Sequence, residues 1–286
     1  MSGKTIAAVV TAAVVVAVGA ALFAQQRPVT GPDGSAGGVA CPAATAPPTA
    51  VGEIPPAPRL PLLGDTAPAF SAQSTQGPVN FPEDYRDKWV ILFSHPADFT
   101  PVCTTEFMAF ATMEPQFNQL GCKLIGLSVD SNFSHIAWLR TIRGVQYKDM
   151  KNVDVTFPLL EDVRMDVARK YGMIQPNAST TQAVRAVFII DPAQKIRAFL
   201  YYPLTTGRNV DEILRLLIAL QTSDRHKVST PVNWTPGDDV IVPPPNSCGQ
   251  SDLRVQNPPP GDRVVTWFLT FRPMPRQKLS LPQPAE

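Results

Sequence analysis

Cys103 lies in a sequence context that favours a reactive thiolate. The segment Ser94–Cys103 follows a short apolar run and leads into an amphipathic stretch. Thr100 suits an N-cap and Pro101 suits the first helical position, where its missing N–H costs nothing. Cys103 would then lie in the first turn, where unpaired N–H groups and the helix dipole stabilise negative charge. We expect an acidified, nucleophilic cysteine, although a buried structural cysteine fits this local context equally well.

The stretches around Cys103 alternate between patterns typical of strands and of helices. Apolar runs predict strands at Trp89–Phe93, Lys123–Val129, Val184–Ile190 and Ile196–Tyr202, with an edge strand at Val155–Leu160 and a terminal strand at Val264–Arg272. Helical spacing of apolar residues predicts helices at Thr105–Leu120, Phe133–Arg143, Val163–Tyr171 and Asn209–Leu220. The alternation predicts an α/β layer fold that ends in an antiparallel hairpin and a helix.

Composition limits the classes of function. The 286 residues include 25 Lys and Arg against 24 Asp and Glu, and a net charge of +1 gives no electrostatic case for nucleic-acid binding. The four cysteines form no C-x-x-C pair and only three histidines are present, so a structural zinc site is nearly excluded and no metal is expected. Length and cysteine density exclude a disulfide-stapled miniature fold.

The N-terminal residues predict an export signal. The run Ile6–Ala24 follows Lys4 and carries no charge, so residues 1–26 match a signal peptide or a membrane anchor. Residues 27–62 are rich in Pro, Ala, Gly and Thr, which predicts a proline-rich flexible tether. We therefore expect a domain exported to a periplasm-like space or anchored outside the cytoplasm. If the true start lies further along the chain, the protein is cytoplasmic.

Several motifs in register resemble one protein family. Pro96-x-x-x-Thr100-x-x-Cys103 is similar to the active-site signature of the peroxiredoxins (AhpC/TSA), and Phe93–Glu106 resembles their one-cysteine (peroxiredoxin VI) subfamily. The resemblance covers roughly residues 62–245 and includes Lys123–Asp130, His135–Trp138, Arg185–Asp191, Thr206–Arg215 and Thr230–Trp234. It implies a thioredoxin-like fold, with a central mixed sheet flanked by helices, at residues 63–228. A C-terminal dimerisation extension would follow at residues 229–286.

The resemblance also implies a thiol-dependent peroxidase and the roles of four residues. Cys103 would attack the peroxide O–O bond and become a sulfenic acid. Thr100 would hydrogen-bond the thiolate and the peroxide, and Pro96 would shield the pocket from water. Arg185 would stabilise the thiolate and the charge that develops on the leaving oxygen.

Further polar residues are expected to support this group. By the same resemblance, Glu106 and Arg208 would pair with the network of the catalytic arginine and orient it. His95 lies near the pocket in the subfamily, and both a proton-transfer group and a packed, hydrogen-bonded histidine remain open for it. His135 and His226 are expected to be structural or solvated.

The implied substrates are hydrogen peroxide and alkyl hydroperoxides, and the chemistry requires no cofactor. No cysteine precedes Pro231-x-x-Trp234, where two-cysteine members carry a resolving cysteine, so an external thiol (glutathione or a thioredoxin-like protein) must reduce the sulfenic acid. Cys248 is disfavoured as a resolving cysteine because it is isolated in a divergent segment. The family further implies a homodimer or a ring of dimers. Phospholipase activity, found in some relatives, is not expected, because Lys88 and Pro82 occupy the positions of its serine and histidine.

Two other functions compete with a peroxidase. A thiol–disulfide oxidoreductase is disfavoured, because that chemistry needs a C-x-x-C motif or an equivalent nearby pair. A redox-sensing or chaperone-like assembly, controlled by oxidation of Cys103, remains an alternative.

Overall fold

A computed structural model describes residues 60–275, and a seven-stranded sheet lies at its centre. Its strands are β1 (Phe70–Ser74), β2 (Gly77–Phe81), β3 (Trp89–Ser94), β4 (Cys122–Ser128), β5 (Leu159–Glu161), β6 (Arg185–Ile190) and β7 (Ile196–Tyr202). Their order across the sheet is β2-β1-β5-β4-β3-β6-β7. β3 is parallel to β4 and β4 to β5, while the other neighbouring pairs are antiparallel, so the sheet is mixed.

Helices cover both faces of this sheet. In the described part of the chain they are α1 (Pro101–Gln119), α2 (Asn132–Ile142), α3 (Asp166–Lys170) and α4 (Val210–His226), while a fifth helix, α5 (Cys248–Gln256), buries no residue. Successive side chains of β3 point to opposite faces: Ile91 and Phe93 pack in one apolar cluster with α1, α2 and α4, whereas Val90 and Leu92 pack in a second cluster with α3. The predicted α/β fold class is confirmed.

The chain order of β3 and α1 positions the cysteine. β3 is fully buried from Val90 to Ser94, as a central strand between two neighbours should be, and α1 begins after a short loop. Ser94 ties the end of β3 to β6: its hydroxyl donates to the carbonyl oxygen of Val184 at 2.6 Å and accepts from the N–H of Ala186 at 3.2 Å. The start of β6 is therefore held beside the loop that precedes α1.

The strand expected at Val155–Leu160 requires a correction. The structure has only the three residues of β5, which lie between β1 and β4 rather than at an edge. The reason is the β1–β2 hairpin, which was not predicted from the sequence: Ser74 of β1 pairs with Leu160 of β5. β2 and β7 are the edges of this sheet.

The bounds of α3 and of the C-terminal strand also differ from those predicted from the sequence. α3 is shorter than the expected Val163–Tyr171, because Met165 has a left-handed backbone (φ 59°) and the helix begins only after it. The expected strand Val264–Arg272 is a hairpin of β9 (Arg263–Thr266) and β10 (Leu269–Arg272), with Trp267 and Phe268 exposed in its turn. β10 also pairs with β8 (Val240–Val242), which forms a second, three-stranded sheet that was not predicted from the sequence.

The predicted signal peptide or membrane anchor, and with it the exported location, also requires a correction. In residues 60–275, no helix combines the length and the apolar character needed to span a bilayer. The run Ile6–Ala24 and the proline-rich tether that follows it lie outside the described residues, apart from the last few residues of the tether. No membrane-spanning segment is thus found where the structure describes the chain, and the prediction of a signal or transmembrane segment and of an exported domain is corrected to that extent.

Candidate active site

Cys103 lies in the first turn of α1, at the position that the sequence predicted. The helix begins at Pro101 with Thr100 as the N-cap, so Cys103 is the third helical residue. Its side chain is fully buried, with 0% exposure. Nη1 of Arg185 donates to the sulfur at a distance of 3.2 Å. A guanidinium at this distance stabilises negative charge on the sulfur.

Arg185 is the first residue of β6, and its guanidinium is held from two sides. Nε and Nη2 donate to the carbonyl oxygen of Leu204 at 3.0 and 2.8 Å. Nη1 donates to Oε2 of Glu106 at 2.7 Å as well as to the sulfur. These contacts leave the buried guanidinium little freedom to turn away from Cys103.

Glu106 lies one turn after Cys103 and joins Arg185 to Arg208. Arg208 donates to its carboxylate from Nε (2.9 Å), from Nη2 (2.7 Å) and from its own backbone N–H (2.8 Å). Burial alone would raise the pKa of the Glu106 carboxyl, but the charge and hydrogen bonds of Arg208, together with the charge of Arg185, lower it. Arg208 Nη1 also donates to the carbonyl oxygens of Ser94 and Ala186.

The buried charges around the sulfur do not cancel by themselves. Arg185 and Arg208 carry two positive charges, and Glu106 supplies one negative charge. Buried charges are costly unless they are paired. Arg185 makes one hydrogen bond to Glu106 where the side chain of Arg208 makes two, and Arg185 is the arginine that contacts Cys103. A thiolate at Cys103 would bring the net charge of these four described residues to zero.

Thr100 and Pro96 lie in the loop between β3 and α1, and the position of Thr100 as N-cap agrees with the sequence. Its hydroxyl, however, does not cap the helix: it donates to the carbonyl oxygen of Ala97 at 2.9 Å. The backbone oxygen of Thr100 accepts from the hydroxyl of Thr104 at 2.9 Å. Pro96 is buried. Between these two residues, Phe99 has a left-handed backbone (φ 55°), a strained conformation for an aromatic residue.

His95 is buried and hydrogen-bonded in the structure. Its Nε2 lies 3.1 Å from Oδ1 of Asp98, and its ring packs against Phe107 and Trp138, with centroids 4.8 and 5.0 Å apart. Burial, the largest effect, lowers the pKa of this imidazole, which favours a neutral ring. Nδ1 has no hydrogen-bond partner among the described residues.

One polar residue of this loop, Asp98, was not given a role from the sequence. Its carboxylate lies within hydrogen-bonding distance of the rings of His95 and His135, and His135, expected to be structural or solvated, is buried and hydrogen-bonded. The signal for Asp98 was its position inside the Pro96–Cys103 motif.

His95, Asp98 and Asp130 also place one possible metal-ligand atom each within 4.8 Å of one another. Their oxygens already accept hydrogen bonds, since Asp130 Oδ2 binds the N–H of Asp98 and the hydroxyl of Ser128.

The other described cysteines lie away from this chemistry. Cys122 is the buried first residue of β4, and burial raises the pKa of its thiol, which disfavours a thiolate there. Cys248 is exposed at the start of α5. Cys41 lies outside the described residues.

Comparisons with known proteins place this geometry in a family. Residues 63–199 match the AhpC/TSA family, and residues 219–248 match the C-terminal domain of 1-Cys peroxiredoxin. A peroxiredoxin of Methanosarcina mazei is 59% identical over 214 residues, which cover 74% of this chain and 98% of the relative. The chain belongs to the peroxiredoxin family. A peroxiredoxin of Aquifex aeolicus is 51% identical over 73% of this chain and 96% of its own length.

Solved structures confirm the thioredoxin-like fold of this peroxiredoxin. A yeast mitochondrial 1-Cys peroxiredoxin, described with a thiol-resolving mechanism through glutathione and thioredoxin systems, is 40% identical with a TM-score of 0.64. It matches over 74% of this chain and 99% of its own. A cysteine-to-serine mutant of peroxiredoxin 6 from Arenicola marina is 37% identical with a TM-score of 0.64, over 76% and 99% of the two chains. This peroxiredoxin is thus a thiol-dependent peroxidase of the one-cysteine kind, whose sulfenic acid is resolved by an external thiol.

Proposed function

We propose that Cys103 is the peroxidatic cysteine of this enzyme. Its thiolate attacks the terminal oxygen of the peroxide and forms an S–O bond while the O–O bond breaks. The electron pair leaves with the departing oxygen, which takes a proton and becomes water or an alcohol, and Cys103 becomes a sulfenic acid. The hydrogen bond from Arg185 to Sγ at 3.2 Å is the observation that carries this proposal.

Four further residues support this step in our proposal. Arg185 stabilises the thiolate and the charge on the leaving oxygen, because its guanidinium is already fixed when the charge develops. Glu106 and Arg208 orient Arg185 through the buried ion pairs. Thr100 hydrogen-bonds the peroxide after its hydroxyl turns from the carbonyl oxygen of Ala97, a rotation about a single bond.

Two further residues of the loop before α1, Pro96 and His95, lie near the sulfur in our proposal. The buried Pro96 excludes water from the sulfur. His95, packed and hydrogen-bonded to Asp98, presents its unpartnered Nδ1 as a hydrogen-bond acceptor.

The reductant in this proposal is glutathione or a thioredoxin-like protein. A first thiol condenses with the sulfenic acid to a mixed disulfide and releases water. A second thiol then displaces Cys103 as thiolate and leaves with the first as a disulfide. Because Cys103 is fully buried, the first turn of α1 must open for the incoming sulfur to reach it.

We further propose that residues 63–228 form the catalytic domain and residues 229–286 an extension that pairs two chains as a homodimer, alone or in a ring of dimers. The match of residues 219–248 to the C-terminal domain of 1-Cys peroxiredoxin supports a C-terminal extension that begins near this boundary. The substrates are hydrogen peroxide and alkyl hydroperoxides, which are small enough for a buried site.

Cysteine replacement tests the peroxidase assignment. Cys103→Ser should abolish peroxide consumption in the presence of a thiol, because a serine hydroxyl is barely ionised near neutral pH and is a much weaker nucleophile. Cys122→Ser is the matched control in the same core, and its single-turnover oxidation rate should stay near that of the wild type. Appreciable turnover by Cys103→Ser would overturn the proposal.

A further inference from the structure

Two polar side chains of α2, one helical turn apart, contact the loop before Cys103 and the first turn of α1. Nδ1 of His135 faces the carboxylate of Asp98, and Nε1 of Trp138 donates to the hydroxyl of Thr104 at 3.2 Å. Both His135 and Asp98 are buried. These two contacts hold the segment between Asp98 and Thr104, which contains the N-cap of α1 and Cys103. None of the roles proposed above for peroxide reduction uses them.

Both ring nitrogens of His135 face hydrogen-bond acceptors. Nε2 lies 3.1 Å from the backbone oxygen of Leu160, which can only accept, so Nε2 carries a proton. Nδ1 lies 2.9 Å from Oδ2 and 3.1 Å from Oδ1 of Asp98. A neutral imidazole has a single N–H. One additional proton must therefore lie between Nδ1 and the Asp98 carboxyl.

The arrangement around the Asp98 carboxylate favours this proton on the imidazole. Both carboxylate oxygens face ring nitrogens: Oδ1 lies 3.1 Å from Nε2 of His95, and Oδ2 lies 2.9 Å from Nδ1 of His135. A carboxylate accepts at both oxygens, whereas the O–H of a carboxylic acid belongs to one of them. Burial alone would raise the pKa of Asp98, but its hydrogen bonds with His135 and His95 outweigh burial and hold the pKa well below its usual range.

We propose that His135 is a buried imidazolium and a positioning residue for peroxide reduction: its charge keeps Asp98 ionised, and Asp98 fixes the ring of His95 and the loop before Cys103. An ionised Asp98 accepts from Nε2 of His95, so the proton of a neutral His95 stays on Nε2. Nδ1 of His95 is then a free acceptor in the buried interior. The kinetic part of this inference rests on the proposed peroxidase function.

Titratable groups surround this pair from three parts of the fold. His95 follows β3, His135 lies on α2, and Asp130 follows β4 and accepts the backbone N–H of Asp98 at 3.0 Å. The guanidinium of Arg208 also acts on His95 and, like His135, disfavours a charged His95 ring. The Asp98–His135 pair is thus the ionised pair of this group, and His95 is its neutral neighbour.

Nuclear magnetic resonance of the ring nitrogens tests the protonation state directly. The full-length reduced enzyme, labelled with ¹⁵N in its histidine rings, should show both nitrogens of His135 protonated at pH 7 and pH 8. The His135→Gln spectrum supplies the assignment, and the exposed His226 serves as the reference for a solvated ring. Asp98→Asn, which removes the charge at constant shape, should leave His135 with a single ring proton. An unprotonated Nδ1 in the wild type at pH 7 would place the proton on Asp98 and overturn the proposal.

Kinetics test the positioning role. His135→Gln keeps an amide donor for Asp98 but removes the positive charge, so the buried Asp98 should bind a proton more readily. The rate constant for Cys103 oxidation by hydrogen peroxide should fall about 10- to 100-fold at pH 6, through misplacement of the loop, and recover toward pH 8. His226→Gln, the same change at an exposed site, should leave the rate unchanged.

The outcomes of these experiments distinguish the protonation state of His135, its positioning role and the proposed peroxidase function. A His135→Gln enzyme with lower thermal stability but the pH profile of the wild type would make His135 merely structural and overturn the positioning role. If His135→Gln does not fold, the wild-type spectrum still decides the protonation state. Failure of the wild type itself to reduce peroxide would overturn the proposed function and leave the spectroscopic result intact.

Discussion

Arg185 and Cys103 are 82 positions apart in the sequence, and Nη1 of the arginine lies 3.2 Å from the sulfur. The antiparallel pairing of β6 with β3 creates this contact, because it places the start of β6 beside the loop that leads into α1. The same guanidinium is held by the carboxylate of Glu106 and the carbonyl oxygen of Leu204. The sulfur thus meets a positive charge that is fixed before the peroxide arrives.

Loss of this charge should slow peroxide attack. Arg185→Met keeps a long apolar side chain but removes the guanidinium, and we expect the rate of Cys103 oxidation by hydrogen peroxide to fall roughly 10²- to 10³-fold. Stopped-flow measurement of a single turnover gives this rate. Arg143→Met is the control, since Arg143 is exposed and paired with Asp154 at the surface. A rate for Arg185→Met within a few-fold of the wild type would mean that Arg185 does not act on the sulfur.

The depressed pKa of Glu106 makes stability depend on pH in acid. Because the folded-state pKa lies below the unfolded value of about 4.3, the carboxylate contributes stability above that value, and this contribution is lost as the pH falls toward the folded pKa. Glu106→Gln should be less stable at pH 7, because both guanidiniums lose their carboxylate.

Urea unfolding between pH 3 and pH 7 measures this dependence. Below about pH 4.3, the slope of unfolding free energy against pH should be shallower in Glu106→Gln than in the wild type, by up to about 1.4 kcal/mol per pH unit. Equal slopes in the two proteins would show that Glu106 titrates alike in the folded and unfolded states, contrary to this prediction.

Peroxide-treated enzyme should remain monomeric on a non-reducing denaturing gel. No cysteine stands just before Pro231-x-x-Trp234, and Cys248, exposed on α5, makes no described contact with the buried Cys103. One equivalent of hydrogen peroxide should leave a sulfenic acid at Cys103 that a dimedone-type probe traps, as mass spectrometry can verify. A stoichiometric disulfide-linked dimer that disappears in Cys248→Ser would refute this and make the enzyme an atypical two-cysteine peroxiredoxin.

Much of the fold could be predicted because its signals are local. The apolar run of β3, the N-cap at Thr100 and Pro101 at the first helical position all report on neighbours within a few residues, and they place Cys103 in the first turn of α1. The strand β7 has the predicted bounds, Ile196–Tyr202. The interior position of β5 could not be predicted in this way, since it depends on which strand pairs on its far side.

By itself, the sequence determined the place of Cys103 in the first turn of a helix, the alternation of strands and helices, and the family that the motifs resemble. Only the tertiary structure decided which polar groups face one another. The Asp98–His135 pair joins a loop to a helix 37 residues further along the chain. The backbone oxygen of Leu204 accepts hydrogen bonds from Arg185, a role that the leucine side chain does not indicate. The physical reason is that hydrophobic periodicity specifies which face of each element is buried, whereas strand order and helix packing determine which buried polar atoms come within hydrogen-bonding distance.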